Sequence, residues 1–275
     1  MLIDIGPATL ALKGEKGGED YRFDRAAVES RVKSILAEIA ECLPVLRQKA
    51  YRIRQTAHFP RVGRAMVEAV KEIDADSLTP MAAVAGAVAE ELKEYLKGEG
   101  LEFISVNNGG DIAIYNRRNK PVTIGIGDIE RNSPTPYVLR VEGLKDFGVA
   151  TSGFGGRSFT LGLADMVSVV APSAPVADAA ATFICNNTNV DDASVVRRRA
   201  GEIDPSTDIP DELVTVHIGE LSSQLVREAL ARGKEVAERF KREGKITEAV
   251  IFLRRDRVTT IEGDGNIRLE VKGGN

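Results

Sequence analysis

Residues 103 to 115 constrain the architecture more than any other stretch of this chain. Two short apolar runs, Phe103-Ile-Ser-Val106 and Ile112-Ala-Ile-Tyr115, are separated only by Asn107-Asn-Gly-Gly-Asp111. Glycine admits positive φ, and Asn/Gly pairs favour the tight turns that join antiparallel strands. A β-hairpin is therefore expected here, and the rest of the sheet has to be compatible with it. Further strands are expected at residues 122–126, 137–141, 149–151, 166–170, 213–218, 249–253, 257–261 and 267–271. Residues 2–24 read as another hairpin, turning at Lys13-Gly-Glu-Lys-Gly-Gly18.

Helical periodicity fills the gaps. Asp24 caps a helix whose apolar positions Val28, Val32, Ile35, Leu36, Ile39, Leu43 and Leu46 recur every three or four residues. A second helix is expected over 62–73. A third opens with Thr79 as N-cap and Pro80 at the first helical position and runs to about 96. Small residues make up most of its first half, so it can pack close to another backbone or a ligand. Residues near 177–184 and the amphipathic stretch 222–243 are also helical, whereas 186–212 reads as a loop crossing the surface. Helices and hairpins come in blocks rather than in strict βαβ order, which predicts an α+β fold with largely antiparallel sheet. A length of 275 residues is near the limit for one core, so residues 1–275 form one domain or two intimately packed lobes.

Charge narrows the partners. The formal net charge of −4 gives no general attraction to nucleic acid or anionic membrane. Arg197-Arg198-Arg199 is basic, but Asp191, Asp192, Glu202 and Asp204 flank it, as on a solvated loop or helix end. The opening MLIDIGPATL has neither a basic leader nor a long apolar run, so a soluble cytoplasmic protein is expected. Cys42 and Cys185 are far apart and have no CxxC pattern, which argues against a thiolate metal cluster. Both read as small buried hydrophobes, with a redox-active Cys185 as the alternative. His58 and His217 lie outside the glycine-rich centre and give little support to a zinc site or a Ser-His-Asp triad.

Three segments can carry chemistry. Asn107, Gly109, Gly110 and Asp111 either form a plain hairpin turn or expose amides to a ligand. In Gly148-Val-Ala-Thr-Ser-Gly-Phe-Gly-Gly-Arg157, an apparent strand runs into Thr151, Ser152 and Gly153, then Gly155, Gly156 and Arg157. Successive glycine amides, two hydroxyls and a guanidinium suit a phosphate or pyrophosphate, and a wide structural turn is the alternative. The spacing is that of neither a P-loop nor a dinucleotide fingerprint. On a helix, Asp178 and Thr182 are four residues apart and share a face. A carboxylate and a hydroxyl placed so can bind Mg²⁺, while an acid favoured by the helix dipole is the plainer reading. Asp165 is a second carboxylate able to approach the same place.

Taken together, Asn107-Asn-Gly-Gly-Asp-Ile112, Gly148-Val-Ala-Thr-Ser-Gly153 and Val167-Ser-Val-Val-Ala-Pro-Ser173 with Ala177-Asp-Ala-Ala-Ala-Thr182 resemble, in order, the motifs of the ApbE superfamily. Its best-known members are FAD:protein FMN transferases. Pro80-Met-Ala-Ala-Val-Ala-Gly-Ala-Val-Ala-Glu90, Thr151-Ser-Gly-Phe-Gly-Gly-Arg-Ser-Phe159, Val190-Asp191 and Ile203-Asp-Pro205 are similar to a shorter ApbE-like branch. That extends the resemblance from about residue 60 to 255.

The resemblance implies Mg²⁺ held by Asp178 and Thr182 at the pyrophosphate of FAD or a related nucleotide. It places Asn107, Gly109, Gly110 and Asp111 beside that ligand. It also implies attack on phosphorus by a threonine of a partner protein, with catalysis mostly by positioning and electrostatics. Two departures from the transferases stand out. Ala85-Gly86 occupies the place of their Lys-Gly pair, and Phe159-Thr-Leu-Gly-Leu-Ala164 replaces an H-I-I-D-P-x-T-G segment. Losing a cation and an imidazole beside the phosphates costs several kcal/mol of transition-state stabilisation, at about 1.4 kcal/mol per factor of ten. Arg157 is a substitute charge.

Three readings stay open: Mg²⁺-dependent FMN transfer or FAD cleavage, flavin or nucleotide binding without turnover, and a part in homocysteine formation from aspartate semialdehyde in anaerobes. The last is implied by the shorter branch and makes Cys185 the residue to watch. The helices at 80–90 and 222–243 pack either internally or across a homodimer.

Overall fold

The computed structural model describes residues 1–128, 133–263 and 265–272. Strands β1 (Leu2–Ile5), β2 (Ala8–Lys16) and β3 (Glu19–Asp20) lead into helices α1 (Arg25–Leu46), α2 (Arg61–Ile73) and α3 (Val84–Lys97). Six strands follow: β4 (Phe103–Asn108), β5 (Asp111–Asn116), β6 (Val122–Asp128), β7 (Ser133–Val141), β8 (Asp146–Ser152) and β9 (Met166–Ala171). After α4 (Ala174–Asn187) come β10 (Val195–Arg199), α5 (Ala200–Ile203) and β11 (Leu213–Ile218). Helix α6 (Ser223–Arg242) and strands β12 (Glu248–Leu253), β13 (Asp256–Thr259) and β14 (Ile267–Val271) close the order. The fold is α+β. The chain divides into two compact units, Met1–Lys120 with Leu144–Ala150 and Val170–Ala179, and Pro121–Gly143 with Thr151–Val169 and Ala180–Asn275.

In the first unit, β1, β2, β4, β5 and β8 lie side by side and pair antiparallel, with β3 added to β2. One face buries Leu10, Leu12, Ile104 and Val106 against the apolar sides of α1, α2 and α3. The Asp24 carboxylate accepts from the amides of Ala26 and Ala27, so the cap read from the sequence forms. Residues 2–24 are three strands rather than one hairpin. Gly6 supplies an additional turn at positive φ, and Gly17-Gly18 supplies the second.

The third helix also differs from expectation. Pro80–Ala83 is a 3₁₀ turn, the α-helix starts at Val84, and the Thr79 side chain caps nothing. The amides that begin α3 find their acceptor in α4 instead, as described below.

Two glycines set how close α4 lies. A Cβ on Gly148 of β8 would stand 2.3 Å from the Ala174 backbone, and one on Gly86 of α3 would stand 2.3 Å from the Ala174 carbonyl oxygen. Ala174 is therefore wedged between a strand and a helix that both present bare backbone. Further along α3, Lys93 is 1% exposed. Its ammonium meets Glu90 at 2.7 Å, Glu94 at 3.3 Å and also Asp146 at the start of β8. Lys97 adds contacts to Glu94 at 2.9 Å and Asp146 at 3.0 Å. Burial by itself would lower the Lys93 ammonium, but Glu90 and Asp146 hold it above its ordinary value.

The second unit holds the antiparallel sheet β14–β7–β6, the ribbon β10–β11 and the hairpin β12–β13, with β9 beside β12. Helix α6 packs on β12 and β13 through Val226, Ala229, Leu230, Ala237 and Phe240, and Ser222 caps it by accepting from Leu225. Residues 186–212 are not a bare loop, since they contain β10 and α5. Arg197-Arg198-Arg199 lies in β10 rather than in a loop, and Arg199 also stands at the N-terminal end of α5. Arg197 donates to Asn189 and, at 2.9 Å, to the Val190 carbonyl. Strand pairing with β11 decided this segment, and that pairing is invisible in a run of charges. Among the described residues no helix is long and apolar enough to cross a membrane.

Gly148→Ala is expected to destabilise the protein by about 1–3 kcal/mol or more in urea unfolding, because backbone must move to admit the methyl. A neutral result would show that α4 does not press on β8. Lys93→Met should cost about 1–3 kcal/mol at neutral pH, since it removes the buried ammonium shared by three partly exposed carboxylates and leaves only Lys97 beside Glu94 and Asp146. The Lys93 contribution is complete below its unfolded value near 10.5 and is lost as pH rises through its higher folded value. The stability gap between variant and wild type should therefore narrow above that pH, and a gap that widens there would refute the assignment.

Candidate functional site

The β4–β5 turn has the backbone its glycines allow, with φ of +66° at Gly109 and +119° at Gly110. The Asn107 carboxamide oxygen accepts from the Gly110 amide at 2.8 Å, and the Gly109 amide donates to the Thr9 carbonyl at 3.2 Å. Both contacts shape the turn. The neighbouring Asn108 is different. It continues the inward positions Ile104 and Val106 and is 4% exposed. Its Nδ2 donates to the Ala85 carbonyl at 3.2 Å. Its Oδ1 is buried and accepts nothing among the described residues. Such an orphan acceptor costs about 1–3 kcal/mol unless a ligand satisfies it. Asp111 is the cross-strand partner of Asn108, so the two side chains share a face of the hairpin.

Asp178 comes to this place from α4. The residue before α3 is Ala83, which has no side chain to cap the helix. The Asp178 carboxylate takes over that role, accepting from Gly86 at 2.9 Å and from Ala85. Glu90 of α3 returns the contact, accepting from the first amide of α4 at Ala174, at 3.3 Å. Helix N-termini favour negative charge, so the two helices cap each other. Burial nevertheless pushes the Asp178 carboxyl well above its ordinary value, with the Asp111 charge adding to the rise and the two amides opposing it. The residue as a whole is half-buried.

Two mutually repelling carboxylates beside an unpartnered carbonyl oxygen form an all-oxygen donor set. Hard cations such as Mg²⁺ take such ligands, and these residues fit one. Thr182 is half-buried and lies four residues along α4 from Asp178, on the same helix face.

The remaining predicted residues belong to the second unit. Thr151 and Ser152 end β8 half-buried, and the Thr151 hydroxyl lies 2.9 Å from that of Ser168. Gly153 is buried, while Gly155, Gly156 and Arg157 are exposed, with Gly155 at a φ of +83°. The Gly156 amide donates to Gly153 at 3.3 Å and that of Phe154 to Ala164 at 2.8 Å, so both are engaged within the protein. Asp165 accepts from the Arg254 amide in this unit.

Residues 159–164 are fastened to the end of α4. The Asn186 side chain accepts from Leu161 at 3.0 Å and from the Thr160 hydroxyl at 3.1 Å. The Thr188 hydroxyl accepts from Leu163 at 3.1 Å and Ala164 at 2.9 Å. Cys185 is fully buried beside Thr160, and burial pushes its thiol up to about 11, so it offers no accessible thiolate.

Two other places look like sites and are not the one built here. Glu90, Glu94 and Asp146 are close enough to share a metal, but Lys93 and Lys97 already neutralise them. A cavity of about 480 Å³ lies between the end of α4 and α6, lined by Asn186, Asn189, Arg232 and Arg239 among others. None of the predicted residues lines it, and Arg232 is held by Glu228 and the Asn189 carbonyl.

The structure is similar to flavin transferase ApbE from Vibrio cholerae, with a TM-score of 0.51 and 12% identity over 99% of this chain and 96% of that one. It is also similar to the flavinyl transferase ApbE of Pseudomonas stutzeri, with a TM-score of 0.52 and 14% identity over 94% and 93%. Such identities establish a shared fold. The sequence is 37% identical over 139 residues to a UPF0280 protein of Methanothermobacter thermautotrophicus, 50% of this chain and 52% of the relative. It is 32% identical over 182 residues to one from Methanosarcina barkeri, 66% and 67% respectively. The chain thus spans about half the length of the first relative and two thirds of the second. The family described as AbpE bacteria matches residues 3–269, and the chain belongs to that family, an ApbE-like branch.

Proposed function

We propose that this chain binds FAD or a related pyrophosphate nucleotide together with Mg²⁺ at Asp178, and acts at the pyrophosphate by FMN transfer or FAD cleavage. The observation that carries the reading is the Asp178 carboxylate, held by the first amides of α3, under the charge of Asp111, with Asn108 tied to the same Ala85 and its Oδ1 buried without a partner among the described residues. A bound Mg²⁺ would neutralise pyrophosphate charge. Asp178, Asp111 and Thr182 would hold it. The turn at Asn107, Gly109 and Gly110 would flank the nucleotide. The flavin part of the reading comes from the fold shared with the two flavin transferases.

A second reading, binding without turnover, is favoured by one specific feature. Where the transferases carry Lys-Gly, Ala85-Gly86 offers no cation, and the next lysine on α3, Lys93, is sealed among carboxylates. The role in homocysteine formation rests on the resemblance alone, and the buried Cys185 thiol gives it no support.

With Mg²⁺, the purified protein is expected to convert FAD to FMN-containing product, followed by chromatography, and Asp178→Ala should abolish this. FAD that stabilises the protein thermally yet stays intact selects the binding reading. FAD that neither binds nor reacts sinks both. Asp178→Asn keeps an acceptor for the α3 amides and removes the repulsion with Asp111. Without added cation it should raise stability by about 0.5–2 kcal/mol, against the usual direction of substitutions. A clear destabilisation in thermal melts would contradict the charge balance described for this site.

A further inference from the structure

Asn108 occupies the variable place within the N-x-G-G-D turn, where a hairpin needs nothing in particular from the side chain. A solvent-facing residue would be expected beside Gly109, yet Asn108 points inward at the position where Ile104 and Val106 set the pattern. Three facts fix its carboxamide. Nδ2 is tied to the Ala85 carbonyl at 3.2 Å, which orients the group. Oδ1 is buried with no partner among the described residues. Ala85 also donates its own amide to Asp178, so Asn108 and Asp178 grip the same residue from β4 and from α4. Asp111 joins them as the cross-strand partner.

We infer that the Asn108 carboxamide oxygen is a further ligand of the divalent cation held by Asp178 and Asp111. The inference rests on the cation reading given above. A neutral carbonyl oxygen suits this place physically. It adds a hard donor without a third negative charge in a site where two carboxylates already repel. Its orphaned state without a cation is what a preformed ligand shows. The hydrogen bond to Ala85 then links the ligand to the start of α3, so the same helical turn positions both Asn108 and Asp178.

Mn²⁺ serves as the probe, with free ion counted by electron paramagnetic resonance on the full chain and Mg²⁺ as competitor. Asn108→Ala is expected to weaken Mn²⁺ binding by about 10- to 100-fold. Asn108→Asp retains an oxygen there and should bind Mn²⁺ at least as tightly as wild type, and it carries the test if the alanine variant fails to fold. The inference is overturned if folded Asn108→Ala binds Mn²⁺ with wild-type affinity, or if Asn108→Asp weakens binding tenfold or more. Wild type that binds no Mn²⁺ overturns the cation reading as a whole. Binding lost in Asp178→Ala but unchanged in Asn108→Ala overturns only the role given to Asn108.

Discussion

The start of α3 has no cap of its own, and the candidate site depends on how that deficit is met. Ala83 precedes the helix, so the amides of Ala85 and Gly86 are left for an acceptor from elsewhere, and Asp178 supplies it. The exchange is mutual, because Glu90 accepts from the first amide of α4. Close approach makes this possible. Gly86 and Gly148 both present bare backbone to Ala174, and a methyl at either would hold α4 off by more than a hydrogen bond can span. Two glycines from distant parts of the sequence therefore determine where a carboxylate on a third segment lies.

The first unit contains two clusters of acids with opposite electrostatic outcomes. Around Lys93 the carboxylates of Glu90, Glu94 and Asp146 are matched by two ammonium groups, and the arrangement is that of a buried tie between α3 and β8. Around Asp178, burial and the Asp111 charge raise the carboxyl, and the amides of Gly86 and Ala85 oppose the rise. Glu90 belongs to both, through Lys93 and through Ala174. A balanced cluster holds a fold together without help. At Asp178 burial disfavours the charged carboxyl, which a cation would favour, and that is why chemistry is proposed there and not around Lys93.

Two further segments are tied into the packing by named contacts. Residues 159–164 form part of the packing at the end of α4, held by Asn186 and Thr188. Ala85 contributes backbone rather than charge, with its amide on Asp178 and its carbonyl on Asn108. Residues 159–164 thus help to build the second unit, and Ala85 the first.

Much of the fold was legible because local rules decided it. Asp24 ahead of a three- and four-residue apolar repeat gave α1, Ser222 gave α6 its cap, and Asn-Gly-Gly between alternating runs gave the β4–β5 hairpin. Thr79 misled as a cap, and 186–212 misled as a loop, since a trans cap and a strand partner lie far off in sequence. The motifs also marked Asp111 and Asp178 as residues of interest, while period-two alternation through Ile104 and Val106 was the unused signal for Asn108. By itself, then, the sequence determined the element types, the turn backbones and the residues that carry charge, because those follow from neighbours within a few positions. Only the tertiary structure decided that Asp178 would face Asp111, that Asn108 would keep an unpartnered oxygen beside them, and that Lys93 would neutralise the other acids. Those outcomes are set by distances between segments about 25 to 95 residues apart, and no local pattern encodes a distance.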